Sequence, residues 1–312
     1  MFQSYYKKTI QKQSLIKLGA AAEFVEQSEL PFSTMGLVKL KDQAQFNPLK
    51  FISEIAKELN IYEHTMIMDI DGHCAVSEEA RITANQIIVA THFPFINKHG
   101  SYFIKMYQRR SYVIAVEGAP EYQGMYVDES LTGMSFRTYK DLLLIGGGDH
   151  RTGKQGGNWK ELRTFQKKYY PNSNEKYFWA TQDCMSLDHI PYIGQYSKHT
   201  PNLFVATGFN QWGMTTSFAA AMILCDLVQG KTNEYQSVFN PSRSMVKPQL
   251  FVNGFESATN LLTPGAKRCP HLGCKLKRNK AEHTWDCPCH GSRFENEGRL
   301  LDNPAMKDAN IN

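Results

Sequence analysis

The order of hydrophobic and polar residues predicts helices in three parts of the chain. Asn47 and Pro48 open the segment LKFISEIAKELN, whose apolar stripe consists of Leu49, Ile52, Ile55, Ala56 and Leu59. Asparagine caps a helix N-terminus and proline fits its first turn, so this segment is predicted to be a helix. Two further helices are predicted over residues 157–170 and 215–230.

Short apolar runs between these helices predict strands. We expect strands at 64–70, before a turn at Asp71-Gly72, at 87–90 and at 203–208. Residues 101–148 read as several more: SYFIKMY, RSYVIAVEG, GMSFRTY and DLLLIGGG. Helix–strand alternation on both sides of a strand-rich middle predicts an α+β fold, in which a sheet is inserted into one set of elements.

A linker bracketed by Pro241 and Pro248 is predicted to divide the chain, with domains at 1–240 and 241–312. The second domain reads as loop-rich. A length of 312 residues, with 42% hydrophobic and 21% charged residues, fits two globular domains. The net charge of +5 is small and scattered, which predicts no nucleic-acid partner. No run of about 18 apolar residues and no signal peptide is visible, so we expect no membrane span and a cytoplasmic location.

Cysteine and histidine crowd into the C-terminal domain, in C-P-H-L-G-C at 269–274 and C-P-C-H-G-S at 287–292. Crowded Cys and His in an intracellular chain predict a metal site. The thiols of Cys269 and Cys287 would hold one iron of a 2Fe–2S cluster, and the imidazoles of His271 and His290 the other. A zinc site made from four of the six groups is the alternative, although a zinc ribbon has C-x-x-C at both ends.

The two motifs together resemble the Rieske proteins of cytochrome bc-type complexes. The resemblance implies a disulfide between Cys274 and Cys289, and a hydrogen bond from Ser292 to a bridging sulfide. Phe294 stands where high-potential members carry a tyrosine that donates to a cysteine sulfur, so a lower midpoint potential is expected. Only about twenty residues separate the linker from Cys269, so we expect the cluster region to lean directly on the larger domain.

Three other stretches, 46–94, 141–153 and 188–230, are similar to the FAD-dependent amine and amino-acid oxidases, the D-amino-acid oxidase family that includes glycine oxidase. This resemblance implies a partial FAD-binding domain with an inserted antiparallel substrate sheet. In the family a helix N-terminus faces the pyrimidine end of the flavin, where its free N–H groups stabilise negative charge. The matching residues are Gly208, Trp212, Gly213, Met214 and Thr215. The alternative is a plain strand–turn–helix in which Trp212 packs in the core.

The sequence departs from that family in two respects. It contains no G-x-G-x-x-G, so a fragment, a unit supplied by a second chain, or loss of FAD binding are all open. In W-A-T-Q-D-C, Asp183 stands where glycine-oxidase-like members carry a carboxylate-binding arginine, which predicts a cationic or amine substrate. Arg137 and His150 are possible pocket residues, with structural roles as the alternative.

The leading hypothesis is FAD-dependent dehydrogenation of an amine-like small molecule, coupled to one-electron transfer through the Rieske cluster. The acceptor would be a redox partner protein or a quinone-like molecule. The main alternative is an electron-transfer protein whose flavin-like region binds no FAD. A Rieske non-haem oxygenase is disfavoured, because only 22 residues follow His290 and no two-His-one-carboxylate set is evident.

Overall fold

The computed structural model describes residues 13–311 except 35, 129, 131, 132 and 266. Its strands are β1 (Ala22–Val25), β2 (Leu37–Leu40), β3 (Asp69–Asp71), β4 (Cys74–Val76), β5 (Arg81–Thr83), β6 (Ile87–Val89), β7 (Met106–Glu117), β8 (Tyr126–Val127), β9 (Ser135–Tyr139), β10 (Leu142–Arg151), β11 (Asn174–Ser186), β12 (Tyr192–Gln195), β13 (Leu203–Thr207), β14 (Lys277–Asn279), β15 (Thr284–Asp286), β16 (Arg293–Phe294) and β17 (Leu300–Asp302). Its helices are α1 (Pro48–Ala56), α2 (Tyr102–Lys105), α3 (Asn158–Tyr169), α4 (Gly213–Val228), α5 (Gln236–Phe239) and α6 (Pro248–Leu262).

The central element is a five-stranded antiparallel sheet in the order β11-β7-β10-β9-β8. Tyr112, Ile114 and Val116 of β7 are buried on the face where α3 packs, whereas Arg109, Ser111 and Val113, at the alternate positions, are only half-buried. Side chains alternate between the two faces of a strand. The opposite face is therefore accessible at residues 109–113 of β7 and at the paired residues 179–183 of β11, although Ala115 is buried. We call this region the open sheet face.

A smaller sheet of β12, β13 and β6 lies beside it, with β13 and β6 parallel. All five residues of β13 are buried, and α4 packs against this strand through Ala220, Ile223 and Leu224. This fixes the N-terminus of α4 at the end of β13. We call residues 13–240 the flavin-like domain.

The C-terminal part, residues 267–311, forms a separate small antiparallel sheet in the order β14-β15-β16-β17, and we call it the cluster lobe. Its core contains Cys269, Cys274, Cys287, Cys289 and Phe294. The α+β class predicted from sequence is confirmed, with a mixed larger domain and an all-β, loop-rich lobe. The predicted domain boundary at residue 240 stays a prediction.

The predicted helices over 48–60, 157–170 and 215–230 correspond to α1, α3 and α4. Asn47 caps α1 as expected, by accepting a hydrogen bond from the Lys50 N–H at 3.2 Å. However, α1 ends at Ala56, and its apolar stripe buries no residue.

Three predictions of elements are wrong. Only the end of the predicted strand at 64–70 is a strand, because β3 begins at Asp69. SYFIKMY begins with the one-turn helix α2 before β7 starts at Met106. The region after Pro248 is not loop-rich from its start, since α6 occupies Pro248–Leu262.

The cluster lobe packs directly on the flavin-like domain, as its short connection predicted. Gly291 of the lobe lies so close to Gln108 of β7 that a Cβ at position 291 would stand 2.6 Å from the glutamine Cβ. Arg110 of β7 pairs with Glu282 of the lobe, and Glu282 also pairs with Arg293 at 2.8 Å; all three are buried. Among the described residues, no helix is long and apolar enough to cross a membrane.

Candidate functional site

The two motif loops have matching closed conformations. In the first, the Cys269 N–H donates to the Cys274 carbonyl at 2.9 Å, and the Gly273 N–H donates to the Cys269 carbonyl at 2.9 Å. In the second, the corresponding bonds join Cys287 N–H to Ser292 and Gly291 N–H to Cys287, at 2.8 and 2.9 Å. A disulfide between Cys274 and Cys289 links the loops, as the Rieske resemblance implied.

The four predicted ligands converge between these loops. The Nδ1 atoms of His271 and His290 lie 3.3 Å apart, with the two rings perpendicular at 89°. The thiols of Cys269 and Cys287 lie next to each other and are buried. Two nitrogens face each other and two sulfurs face each other, which is the donor set that a 2Fe–2S cluster of mixed ligation requires.

The protonation states also suit metal binding. The hydrogen bond from Cys287 lowers the pKa of the Cys269 thiol, and the same interaction together with burial raises the pKa of Cys287. Burial lowers the pKa of His271 to about 4 and also lowers that of His290. Neutral imidazoles and a favoured thiolate are the forms that bind iron.

A different set of three sulfurs also comes close together. Those of Cys274, Cys287 and Cys289 all lie within 4.8 Å of one another. Two of the three are joined in the disulfide and offer no thiolate, so this trio is not a ligand set. The set of two cysteines and two histidines fits the chemistry better.

The outer nitrogens and faces of the histidines contact the flavin-like domain. The side chain of Asn97 lies against His271, with its Nδ2 3.0 Å and its Oδ1 3.2 Å from His271 Nε2. Phe93 and Phe103 stand edge-on to the His290 ring, each 6.4 Å away between centroids. Gln108 Nε2 donates to the His290 carbonyl at 2.8 Å. Sequence patterns gave no signal for these four residues, because each lies in an ordinary loop, helix or strand.

Ser292 and Phe294 lie in the core around the cysteines, and both side chains are fully buried. The Ser292 hydroxyl lies beside Cys269 and helps to lower the pKa of its thiol, and it accepts a hydrogen bond from the Ala305 N–H at 2.9 Å. Phe294, on β16, pairs with Trp285 in register and has no hydroxyl to donate. Their predicted effects on a cluster stay predictions.

The five residues predicted to face a flavin lie together between β13 and the start of α4. Gly208 follows β13 with φ +71, a conformation that favours glycine. Trp212, Met214 and Thr215 are exposed, so the alternative that Trp212 packs in the core is wrong. The Trp212 side chain makes no capping hydrogen bond, so the first N–H groups of α4 remain available to a ligand.

The open sheet face begins next to that helix end. Asp183 of β11 pairs in register with Arg109 of β7, and Arg109 Nε donates to Asp149 Oδ2 at 2.8 Å. Gln211, just before α4, donates to Asp149 Oδ2 and to the Ser111 hydroxyl, both at 3.2 Å. The buried Asp149 Oδ1 has no hydrogen-bond partner within the described part of the chain.

Burial raises the pKa of Asp183 to about 6, with the nearby Asp149 adding to the shift and Arg110 opposing it. Burial likewise raises the pKa of Asp149, although Arg109 opposes this. Arg137 pairs with Leu144 on β9–β10 and is exposed, whereas His150 is buried and stacks on Tyr112. His150 therefore lies on the helix-covered side of the sheet, and only Arg137 of the two remains a pocket candidate.

The family model of FAD dependent oxidoreductases matches residues 6–227, more than two thirds of the sequence. The chain belongs to this family. The model of the Rieske [2Fe-2S] domain matches residues 256–311. The protein is thus an FAD-dependent oxidoreductase with a C-terminal Rieske domain, and its implied cofactors are FAD and a 2Fe–2S cluster.

Individual relatives agree with this assignment. The Putative Rieske 2Fe-2S iron-sulfur protein YhfW of Bacillus subtilis is 32% identical over 93% of this chain and 69% of its own length. A chloroplastic cytochrome b6-f complex iron-sulfur subunit from Fritillaria agrestis is 45% identical over 51 residues, 22% of its length. The fold is similar to that of glycine oxidase from Geobacillus kaustophilus, with a TM-score of 0.63, 16% identity, and coverage of 78% of this chain and 73% of that one.

The donor sets fit the two cofactors to different extents. The cluster lobe offers a complete set for 2Fe–2S. The flavin-like domain offers the open N-terminus of α4 beside the polar residues of the open sheet face, which fits the isoalloxazine end of FAD. The sequence contains no glycine-rich motif for the pyrophosphate.

Proposed function

We propose that this oxidoreductase dehydrogenates an amine-like small molecule and delivers the electrons through a cluster held by Cys269, His271, Cys287 and His290. When bound, FAD would accept a hydride equivalent and the cluster would carry single electrons. A redox partner protein or a quinone-like molecule would then take up the electrons.

One observation carries the coupling of the two centres. On β11, Gln182 donates its side-chain N–H to the Gly291 carbonyl of the cluster loop at 3.0 Å, while the next residue, Asp183, lies on the open sheet face. On β7, Gln108 bonds the His290 carbonyl, while Arg109 faces Asp149. Because neighbouring residues of a strand point to opposite faces, a single sheet layer separates the proposed substrate pocket from the cluster loops.

The amine preference rests on the charges of the open sheet face. Within the described part of the chain, no hydrogen bond contributes to the pKa of the Asp183 carboxylate, and Asp149 has one carboxylate oxygen left unpaired. An ammonium group would supply the missing donor and favour the charged form of Asp183. A substrate carboxylate in the same place would be repelled.

The coupling can be tested with the full chain, loaded with FAD and titrated anaerobically with primary and secondary amines. We expect bleaching of the flavin absorbance followed by the rhombic electron paramagnetic resonance signal of a reduced Rieske cluster. Asp183→Asn should raise KM for the amine with a smaller change in kcat, because it removes ground-state binding. Exposed Asp71→Asn is the matched control. A cluster that stays oxidised while the flavin is reduced would contradict the proposal.

The second candidate is an electron-transfer protein without FAD, which the missing G-x-G-x-x-G favours. Acid precipitation of the purified protein separates the two. A supernatant with flavin bands supports the dehydrogenase, whereas iron and sulfide without flavin support the electron carrier.

A further inference from the structure

Helix α6 buries polar residues and exposes apolar ones, which is the reverse of an ordinary surface helix. Its buried residues are Asn253 and Asn260, both polar. Phe251 and Phe255 are each 70% exposed, and Leu262 is 82% exposed. These three residues follow a helical spacing of four and seven, so they form one apolar stripe that faces away from the protein.

The inward side of α6 is held by polar contacts, which fixes the orientation of the stripe. Asn253 Nδ2 donates to the Ile104 carbonyl at 3.0 Å, and its Oδ1 accepts Arg151 Nη1 at 2.9 Å. Glu256 forms an ion pair with Lys154 at 2.7 Å. Rotating the helix to bury its phenylalanines would break these bonds and leave buried polar groups unpaired, at a large cost.

The stripe continues to the cluster. Leu261, at the end of α6, comes within 3.8 Å of the Cβ position of Gly273 in the first cluster loop. Arg268 fastens the same corner, since its guanidinium donates to the Leu261 carbonyl at 2.9 Å and to the Gly273 carbonyl at 3.0 Å. Leu272 of that loop is exposed and is the chain neighbour of His271. We define the α6 surface as the exposed residues Phe251, Val252, Phe255, Leu261, Leu262 and Leu272.

The sequence around this surface is strongly basic. Residues 257–280, which include the end of α6 and the first cluster loop, contain no acidic residue and six basic ones: Lys267, Arg268, Lys275, Lys277, Arg278 and Lys280. Arg268 and Lys275 lie at the end of α6, since they donate to the carbonyls of Leu261 and Pro264 at 2.9 and 2.7 Å. On α6 itself the acidic residue is Glu256, which is paired with Lys154. Arg243 and Lys247, which precede α6, are paired with Asp188 and add no free charge. An exposed apolar surface with aromatic side chains and neighbouring basic residues is complementary to a layer whose interior is apolar and whose surface is anionic.

We propose that the α6 surface docks onto an anionic lipid bilayer, with the phenylalanines inserted at the level of the headgroups. A helix with an apolar aromatic face and basic flanks is suited to lie in the membrane interface without crossing it. Anionic headgroups would attract the flanking lysines and arginines. The docking would place Leu272 at the lipid, one residue from His271, so an acceptor dissolved in the bilayer could reach the cluster; this last step rests on the proposed function.

Co-sedimentation of the full-length holoprotein with vesicles tests the docking without substrate or turnover. We expect binding to vesicles of equal phosphatidylglycerol and phosphatidylcholine, weaker binding to pure phosphatidylcholine, and a loss of binding as salt rises. The double variant Phe251→Ser/Phe255→Ser should bind at least about tenfold more weakly, because each apolar side chain that enters lipid adds to affinity. Both residues are exposed, so the cluster's visible spectrum should be unchanged.

The matched control is Ile52→Ser/Ile55→Ser on α1, which removes two other exposed apolar side chains. Binding that survives this change but not the α6 change supports the proposal. Absence of binding to the anionic vesicles overturns it, as does an equal loss in both double variants. A chain that dimerises through the phenylalanines and ignores vesicles would show that a second copy covers the surface. None of these outcomes depends on amine dehydrogenation, so the two proposals can fail separately.

Discussion

The cluster lobe and the open sheet face build their sites in opposite ways. The lobe takes all four candidate ligands from two short loops that lie within 22 residues of sequence, counted inclusively from 269 to 290, and closes each loop by backbone hydrogen bonds. The open sheet face assembles Arg109, Asp149, Asp183 and Gln211 from three strands and a loop spread over more than a hundred residues.

The two sites also differ in how completely their polar groups are enclosed and paired. The lobe is covalently clamped by a disulfide and encloses its donors, so its chemistry is a property of local sequence. Among the described residues, the open sheet face has one carboxylate oxygen without a hydrogen-bond partner, a partly buried acid and an exposed helix end. Such groups cost stability without a ligand, which is typical of a binding surface rather than a structural core.

The largest effect is expected from replacing one candidate cluster ligand of the lobe. Cys287→Ser should abolish the cluster, because a serine hydroxyl is not deprotonated at neutral pH and cannot replace a thiolate. Iron and acid-labile sulfide analysis should fall from two of each per chain to none. The exposed Cys225→Ser serves as the control and should retain full iron. Retention of iron by the Cys287 variant would show that this residue is not a ligand.

The next effect tests how firmly the two regions are joined. Glu282 of the lobe accepts hydrogen bonds from Arg110 and Tyr112 of β7 and from Arg293, all in buried surroundings. Glu282→Gln should lower the free energy of unfolding by about 3–5 kcal/mol, because it leaves buried arginine charge without its partner. Urea unfolding measures this change.

Glu295→Gln is the control for that variant, because its partner Arg299 lies in an exposed pair at 2.5 Å. We expect a much smaller loss there, because solvent screens an exposed pair. Equal losses in the two variants would mean that the interface pair contributes no more than a surface pair, and that the lobe is not firmly docked.

The same contrast explains which parts of the molecule sequence could predict. Cys269, His271, Cys287 and His290 carry rare residue types at close spacing, so local patterns identified them and the structure brings them together. Asn97 and Asp149 are common polar residues that contact their sites only through the tertiary fold. No local pattern marks such residues.

Helix α6 escaped prediction for a related reason. Its apolar stripe is regular, yet Asn253 and Asn260 occupy the buried side and Pro248 opens the segment. Apolar residues are normally expected on the buried side of a helix and prolines in linkers, so the pattern of this segment predicts a loop. In α1 the apolar stripe predicts the helix correctly, yet none of its residues is buried in the described part of the chain.

A smaller effect concerns the acid of the open sheet face. The folded-state pKa of Asp183, about 6, lies above its usual value of 3.8, mainly because of burial. The charged form is therefore penalised by folding, and the penalty is present above pH 6 and vanishes as pH falls below about 4. Asp183→Asn should raise the free energy of unfolding at pH 7.5 by about 1–3 kcal/mol and have little effect at pH 4.

Thermal or urea unfolding at the two pH values measures this difference, with Asp71→Asn as the exposed control. A stabilisation that is the same at both pH values would exclude titration of Asp183 as its cause. If Asp183 binds the substrate, the stabilised variant should also lose amine binding, because a functional group commonly lowers stability.

The smallest expected effect probes the tuning of the cluster. Phe294 is fully buried in the core that contains all four lobe cysteines. Phe294→Tyr adds a hydroxyl that can donate to a cysteine sulfur, which stabilises the more negative, reduced cluster. One hydrogen bond contributes about 0.5–1.5 kcal/mol, and about 59 mV corresponds to a tenfold change for one electron, so the midpoint should rise by about 20–60 mV. Redox titration followed by circular dichroism measures the midpoint, and Phe178→Tyr on exposed β11 should leave it unchanged. An unchanged or lower midpoint in the Phe294 variant would mean that a hydroxyl at this position does not donate to a cluster sulfur. The lobe, unlike the open sheet face, would then have no acceptor without a partner at this position.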